Sequence, residues 1–432
     1  MFLYSLARKV NGQLKKYKRA QAGKKLSPVR RIEFVAPPVG GRFCAMTFDD
    51  GPCAQPPKPW EDGRGLTEVL LDTLKEYGAK GTFDVIGTTA NNYPDTEGKP
   101  DDFSWSGVGY DHYPQFGKDN LAGAVNQPEL IARILAEGHE ITNHGYAHRL
   151  FGPMRAVYGG RKHFLSLEEV TGDLEQLDGY MREHFDYTMK LSRPPHYIDK
   201  IPDGATSYDA YRAMGYQYMG AKFDGGGWLP TGENYDEAVE KMVAPIATAL
   251  AADPESLNGM IIFQKDGCNM SLETPIAHAL PRQLELLKAA GYQVVTVSEL
   301  LARSSFEDVA GDAPELPAIQ KLLALGHITG YPNNTFQGER VLTADELALM
   351  LCNPARLRVK SRLDYKDMVR IARQDCAQRQ IPLEVTGAAL LQLGQARGVT
   401  LEAEHFGGGS VLRRHAVVLI AALAEQESLQ RA

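Results

Sequence analysis

From about residue 40 to residue 303, short apolar runs alternate with longer amphipathic stretches, and this alternation limits the fold more than any other feature of the sequence. Short apolar runs are typical of strands, and apolar residues recurring every three to four positions are typical of helices. Strands that are separated by helices pair in parallel, because the chain must cross back before the next strand begins. The pattern therefore predicts an α/β fold, either a (β/α) barrel or a doubly wound sheet.

The alternation predicts the following elements. The predicted strands are Arg42–Phe48, Lys80–Ile86, Gly138–Thr142, Thr188–Leu191, Tyr216–Ala221, Met260–Phe263 and Gln293–Val297. The predicted helices are Leu66–Tyr77, Pro128–Ala136, Leu167–His184, Ser207–Met214, Tyr235–Leu250 and Pro281–Ala290. Residues 88–127 interrupt the alternation with many Gly, Pro, Asn and Asp residues, and a loop of that length in a compact domain predicts a lid or a binding loop.

A second domain is predicted because the chain has 432 residues, whereas single hydrophobic cores stop growing at about 250–300 residues. Beyond residue 303 helical patterns dominate, at Pro317–Ala324, Thr343–Leu351, Tyr365–Gln380, Thr386–Arg397 and Val411–Ala424. We therefore predict a basic N-terminal arm over residues 1–39, a barrel over residues 40–303 and a smaller, mainly helical domain over residues 304–432.

The charge is distributed unevenly along the chain. Residues 1–32 carry ten Lys or Arg and no acidic residue, and the remaining 37 basic residues are outnumbered by 54 acidic ones. Such an acidic body argues against a nucleic-acid partner, since phosphate binding needs a clustered basic face. The arm is interpreted either as a solvated tail or as an amphipathic interfacial helix. It has no apolar segment typical of a secretory signal, and no run in the chain predicts a transmembrane helix, so localisation stays open.

Two adjacent carboxylates, Asp49 and Asp50, follow the first predicted strand and are stopped by Gly51-Pro52. Parallel α/β folds place their active sites at the carboxyl ends of the strands. Adjacent side chains point to different sides, so that one carboxylate can bind a metal while the other contacts a water molecule. The pair is therefore a candidate for metal-assisted hydrolysis.

Two histidines, His144 and His148, lie four positions apart after the third predicted strand. On their own, histidines at this spacing are more often surface or core residues than metal ligands. Asp50 would complete a set of two nitrogens and one oxygen, and three protein ligands leave positions open for water and substrate, as in catalytic sites. The set favours zinc, with cobalt, nickel or manganese as alternatives.

The segment Thr47-Phe48-Asp49-Asp50-Gly51-Pro52 and the later His144-x3-His148 segment, in this order after successive strands, resemble the polysaccharide deacetylase (NodB-homology) family. The resemblance extends over residues 40–303. It implies a distorted (β/α) barrel and metal-dependent hydrolysis of N-acetyl groups on a carbohydrate, a peptidoglycan or chitin-like glycan, with release of acetate.

The same resemblance implies a role for each matching residue. Asp49 is the general base, and the metal ligands are Asp50, His144 and His148. Arg193 lies in the third motif, where the arginine orients the base, and a guanidinium there would keep the carboxylate ionised. His196 stands in that motif where an aromatic residue is usual. The positions that match substrate-contacting motifs are Pro195, Trp228, Gln264 and Lys265.

Several positions depart from the family pattern. Asp84 stands where an aromatic residue is usual, and Gly227 replaces the aspartate that tunes the general acid. Gln264 or Lys265 replaces the histidine that protonates the leaving amine. Because glutamine cannot donate a proton in acid catalysis, His196 is the first candidate for the proton donor and Lys265 the second. Glycan binding without catalysis, and hydrolysis of a small non-sugar amide, are the alternative functions.

Residues 306–352 resemble an S-layer homology module, through Gly330-Tyr331-Pro332-Asn333-Asn334 and Leu342-Thr343-Ala344-Asp345-Glu346. Thr343 predicts a helix N-cap there. Such modules commonly bind anionic cell-wall polymer through an arginine at the position of Ala344. Because that arginine is replaced, cell-wall binding and a packing or oligomerisation role stay as two interpretations. Residues 387–424 are interpreted as a degenerate second copy.

Overall fold

The structure is a computed structural model. It describes residues 29, 31–35, 38, 41–59, 62–88, 121–153, 163–269, 271, 273–303, 306, 308–310, 313–325, 327–328, 330–331, 335–352, 365–401, 406 and 410–429. The predicted amphipathic helix of the arm and most of the predicted lid loop lie outside these residues. The chain divides into two compact units, one over Ile32–Leu300 and another made mainly of the residues that follow. Among the described residues, no helix has both the length and the apolar character needed to span a bilayer.

The first unit is built on a β-sheet. Seven strand pairings in this sheet, which together involve β2 to β9, are parallel. The strands are β1 (Arg31–Ile32), β2 (Arg42–Asp49), β3 (Thr82–Val85), β4 (Glu140–Asn143), β5 (Leu191–Ser192), β6 (Gln217–Met219), β7 (Phe223–Asp224), β8 (Ile261–Lys265) and β9 (Tyr292–Val295). Their order is β1-β6-β5-β4-β3-β2-β8-β7, and β9 pairs with the first half of β2. The buried strand β2 thus pairs with three other strands, β3, β8 and β9.

Helices connect these strands, as the alternation predicts. They are α1 (Leu66–Glu76), α2 (Pro128–Ala136), α3 (Leu167–Phe185), α4 (Ser207–Met214), α5 (Tyr235–Ala252), α6 (Ile276–Ala289) and α7 (Val297–Arg303). Two predicted boundaries in this region differ from the structure: α7 begins at Val297, where a strand was predicted to end, and α6 was predicted to begin at Pro281. The helix begins at Ile276 instead, and the buried side chains of Ile276, Ala277 and Leu280 extend its apolar face ahead of the proline.

The segment Ile32–Val35 lies between the two ends of this sheet. On one side the backbone N–H of Gly220, which follows β6, donates to the carbonyl of Ile32 at 2.7 Å. On the other side Val35 donates to the carbonyl of Gly259 at 2.8 Å, and Phe34 forms an antiparallel bridge with Met260, just before β8. The sheet is therefore barrel-like, and the predicted fold class is confirmed.

The register of the strands aligns polar residues at their carboxyl ends. Asp49 of β2 lies opposite Asp84 of β3 on one side and opposite Lys265 of β8 on the other. Asp84 in turn lies opposite Thr142 of β4. We call Lys265, Asp49, Asp84 and Thr142 the polar rung. Because side chains alternate along a strand, Phe48 points to the opposite face, where its ring stacks on that of Phe83 with the centroids 5.1 Å apart.

The second unit is mainly helical, as predicted. Its helices are α8 (Leu316–Ala324), α9 (Ala344–Cys352), α10 (Tyr365–Gln378), α11 (Gly387–Ala396) and α12 (Arg413–Leu429), and they share one apolar core. Thr343 caps α9 as expected: its Oγ1 accepts a hydrogen bond from the Glu346 N–H at 3.2 Å, and the Glu346 carboxylate accepts one from the Thr343 N–H. This reciprocal arrangement is a capping box.

Candidate active site

Asp50, His144 and His148 converge at the carboxyl ends of β2 and β4. Oδ1 of Asp50 lies 3.2 Å from Nε2 of His144 and 3.2 Å from Nε2 of His148. All three side chains are buried, and their ligand atoms lie within 4.8 Å of one another. Two imidazole nitrogens and one carboxylate oxygen around a common point are donors that suit zinc or a similar divalent ion. The residues present therefore fit a metal site.

The backbone at two of these residues is in the left-handed region. Asp50 has φ of +81° and His148 has φ of +50°. Non-glycine residues adopt this conformation at a cost, and such residues cluster at functional sites. Helix α3 holds the histidine loop in place, because the Asp173 carboxylate accepts hydrogen bonds from the backbone N–H groups of Tyr146 at 2.8 Å and Ala147 at 2.9 Å.

Arg193 is buried and all of its guanidinium nitrogens are hydrogen-bonded. Nε donates to the carbonyl of Met219 at 3.2 Å, and one terminal nitrogen donates to the carbonyl of Gly220 at 3.0 Å. The other terminal nitrogen donates to Oγ1 of Thr47 at 3.0 Å and to Oδ1 of Asp49. These bonds fix the direction of the guanidinium, and the guanidinium fixes the carboxylate of Asp49.

Asp49 has one oxygen bound to Arg193 and the other directed toward the histidines. Its Oδ2 lies 3.9 Å from Nε2 of His144. Burial raises the pKa of Asp49 to about 6, although Arg193 and His144 act in the opposite direction. The side chain is thus placed to accept a proton close to the ligand atoms.

Lys265 of the polar rung contacts the remaining oxygen of Asp50. Its Nζ lies 2.6 Å from Oδ2, so that the two oxygens of Asp50 face different partners. Burial acts to raise the pKa of Asp50, but Lys265 and His148 outweigh it and hold that pKa well below its ordinary value. Gly227 adjoins this lysine, since a Cβ at position 227 would lie 3.8 Å from Cβ of Lys265.

The third motif places Pro195 and His196 beside the cluster. Pro195 is buried and begins the short 3₁₀ turn Pro195–Tyr197. His196 has φ of +54°, and its ring centroid lies 6.0 Å from that of His148. The structure therefore brings His196 next to the candidate metal ligands.

Trp228 and Gln264 are placed differently from each other. Trp228 is 42% exposed and its indole N–H donates to the carboxylate of Asp224, 3.0 Å from Oδ2. Gln264 is fully buried and donates to Oε1 of Gln283 on α6 at 2.8 Å. Since side chains alternate along β8, Gln264 faces the helices, while Lys265 points to the opposite face with the other residues of the polar rung. The structure does not bring Gln264 to the cluster.

Three buried carboxylates near the site were given no role by the sequence: Asp84, Asp173 and Asp266. Asp266 follows β8 and accepts a hydrogen bond from Oγ1 of Thr67 at 2.6 Å, and burial raises its pKa to about 7. A Cβ at Gly51 would lie 2.0 Å from Oδ2 of Asp266, so that only glycine fits there. The position of Asp266 at a strand end is a signal that could have identified it, whereas Asp173 lies inside a helix and has no such signal.

Comparisons with known proteins agree with this arrangement. Residues 36–219 match the family model described as polysaccharide deacetylase, and residues 305–348 match that of the S-layer homology domain. The peptidoglycan-N-acetylglucosamine deacetylase of Bacillus cereus is 27% identical over 282 residues, which cover 64% of this chain and 96% of that protein.

Two further relatives share the same region. The peptidoglycan-N-acetylmuramic acid deacetylase PdaC of Bacillus subtilis is 24% identical over 259 residues, which cover 60% of this chain and 38% of that protein. The solved structure of the chitin deacetylase from the fungal pathogen Colletotrichum lindemuthianum is 22% identical and covers 67% of this chain and 94% of that chain, with a TM-score of 0.41. Residues 36–219 of this chain are therefore similar to the polysaccharide deacetylase family, and residues 305–348, which follow, are similar to the S-layer homology domain.

Proposed function

We propose that this protein removes N-acetyl groups from a peptidoglycan or chitin-like glycan in a metal-dependent hydrolysis that releases acetate. The observation that carries the proposal is the convergence of Asp50, His144 and His148 beside Asp49. Oδ1 of Asp49 accepts a hydrogen bond from Arg193. The match of residues 36–219 to the polysaccharide deacetylase family supports hydrolysis of N-acetyl groups. The named activities of the relatives support an amino-sugar polymer as the substrate class.

The residues divide the chemical work between them. A divalent ion held by Oδ1 of Asp50 and the two Nε2 atoms would supply a Lewis acid for the acetamide carbonyl and lower the pKa of a water molecule. Zinc suits this donor set best, with cobalt, nickel or manganese as alternatives. Asp49 accepts the proton of the attacking water through Oδ2, and Arg193 keeps that carboxylate oriented.

The leaving amine needs a proton when the C–N bond breaks. His196 is the proposed donor because its ring lies beside that of the candidate ligand His148, with the ring centroids 6.0 Å apart. Lys265 is the second candidate, and its contact with Oδ2 of Asp50 places it within the site. We expect His196→Gln to lower kcat more than Lys265→Met if His196 is the donor.

Substrate contacts and location complete the proposal. Pro195, beside the cluster, and Trp228, whose ring is partly exposed, are the proposed contacts for the sugar chain. The S-layer homology domain supports association with a cell-wall polymer at the cell surface. The domain limits at residues 39 and 303 are part of this proposal.

Glycan binding without hydrolysis is the second candidate function. It is favoured by one observation: Lys265 and the adjoining Gly227 stand at the two family positions that provide the general acid and its aspartate. A protein with this function would bind the same polymer and release no acetate.

An acetate assay on the metal-loaded protein tests these alternatives. With chitooligosaccharides and peptidoglycan fragments as substrates, we expect release of acetate that is abolished by a chelator and restored by Zn²⁺. Asp49→Asn should lower kcat by about 10²- to 10⁴-fold with unchanged zinc content, because it removes the base and leaves the ligands. Asp50→Ala should remove the bound zinc.

A matched control is Asp236→Asn, which changes an exposed carboxylate of the same unit and should leave both activity and zinc content unchanged. Tight glycan binding with no acetate from any glycan would favour the second function. Acetate from small amides alone would show that the substrate is not a sugar.

A further inference from the structure

Asp84 is a buried acidic residue of the polar rung that the proposed reaction does not use. Its side chain is fully buried on β3. Oδ1 accepts a hydrogen bond from Oγ1 of Thr142 at 2.5 Å, and Oδ2 lies 2.8 Å from Nδ1 of His144. The carboxylate therefore contacts the ring nitrogen of His144 that faces away from Asp50.

Two acceptors surround that nitrogen. Besides Oδ2 of Asp84, the carbonyl oxygen of Arg193 lies 2.9 Å from Nδ1 of His144. A carboxylate and a carbonyl both accept hydrogen bonds, so Nδ1 must carry the proton. In a neutral imidazole the other nitrogen then has the free lone pair, and Nε2 is the atom that lies 3.2 Å from Oδ1 of Asp50.

The charge of the buried cluster points the same way. Among the five groups that contact one another or His144, Asp49, Asp50 and Asp84 are acidic and Arg193 and Lys265 are basic, which leaves one excess negative charge in this set. Each positive group is already in contact with a carboxylate other than Asp84. The charge of Asp84 is therefore available to attract a cation bound at Nε2 of His144.

We propose that Asp84 is a positioning residue for the metal: it holds His144 with the proton on Nδ1, directs Nε2 toward the ion and raises the affinity of the site for divalent cations. The proposal rests on the metal site of the proposed function. Carboxylate partners of ligating histidines act in this manner in other metal sites, where their loss typically weakens binding by about 10- to 100-fold.

Zinc affinity of the full chain provides the test, measured by competition with a chromophoric chelator and without substrate. Asp84→Asn keeps the shape of the side chain and removes its charge, and we expect Zn²⁺ binding to weaken by about 10- to 100-fold. The matched control is Glu140→Gln on β4, which changes another buried carboxylate that hydrogen-bonds Thr82 and Ser298. This control should leave zinc affinity within about twofold, as its partners are not metal ligands.

A second variant and a second readout separate positioning from folding. Thr142→Val keeps the charge of Asp84 but removes its hydrogen bond, and we expect a smaller loss of zinc affinity, about 3- to 10-fold. Nitrogen-15 NMR of the zinc-loaded protein should show His144 protonated at Nδ1 in the wild type. In Asp84→Asn we expect the Nδ1 proton to resonate upfield, because an amide accepts a hydrogen bond more weakly than a carboxylate.

Equal zinc affinity in the wild type and Asp84→Asn, or no zinc binding by either, would overturn the proposal. The outcome is distinguishable from failure of the proposed function. Tight zinc binding that depends on Asp84, with no acetate release, would refute the hydrolysis and leave the inference standing. Full activity of Asp84→Asn with unchanged zinc affinity would overturn the inference about Asp84 and leave the proposed hydrolysis standing.

Discussion

At the scale of single residues, two histidines five positions apart have opposite environments. His144 faces the carboxylates of the metal cluster, whereas the buried His139 directly precedes β4 and its Nδ1 accepts a hydrogen bond from the backbone N–H of Gly81 at 2.9 Å. Burial, together with the charge of Lys80, lowers the pKa of His139 to about 4. His139 is therefore a neutral structural residue, and its protonation would break the bond to Gly81.

This environment predicts a loss of stability in acid. The folded pKa of His139 lies below its ordinary value of 6.5, so the unfolded chain binds the proton more readily, and stability present above pH 6.5 is lost as the pH falls toward 4. By linkage, this residue should account for roughly 2–3 kcal/mol of the free energy of unfolding between pH 7 and pH 4.5. Urea unfolding at both pH values measures it.

His139→Gln is the comparison, because glutamine accepts the same hydrogen bond without titrating. Its free energy of unfolding should change less between the two pH values than that of the wild type. If both proteins lose the same free energy of unfolding between pH 7 and pH 4.5, His139 does not cause the loss of stability in acid.

The candidate site residues that the sequence singled out most clearly are those that follow a strand. Asp49, Asp50 and His144 each stand at the carboxyl end of a strand, where parallel folds gather side chains. Gln264 was interpreted together with Lys265, because only the register with Asp49 shows which of the two faces inward.

At the scale of elements, amphipathic periodicity located most helices and strands to within a few residues. The strands β1 and β7 were missed because each has two residues, too few to show a period. In the second unit one tertiary contact has no sequence pattern at all: buried Arg413 of α12 donates to Oε1 of Glu346 on α9 at 3.0 Å and to the carbonyl of Phe336 at 3.1 Å. Such long-range pairs appear only when the helices are packed.

Arg413→Met should destabilise the second unit by about 3 kcal/mol, because Glu346 would lose its buried cationic partner and keep only the more exposed Arg340 at 3.4 Å. The double variant with Glu346→Gln should recover part of this loss. Amide hydrogen exchange in α9 and α12 measures the effect. Arg373→Met is the control, since it removes an exposed pair with Asp345 and should cost less than about 1 kcal/mol.

At the scale of the whole molecule, each of the two units has its own apolar core. The function of each unit can therefore be tested by removing the other. Removal of residues 304–432 should abolish co-sedimentation with purified cell walls and leave acetate release from soluble chitooligosaccharides within about twofold, because the metal cluster lies entirely in the first unit. Retained co-sedimentation would show that the wall is bound elsewhere. A change in oligomeric state would favour the packing role instead.

Residues 32–35 connect the two ends of the sheet in the first unit. Residues 32–35 supply partners for the backbone amides of Gly220 and Lys222 on one flank and for the carbonyl of Gly259 on the other. A fusion joint or an internal start site placed after Val35 would leave these groups unsatisfied on both flanks at once. An affinity tag is best joined upstream of Arg31, because residues 32–35 then keep their backbone hydrogen bonds to both ends of the sheet.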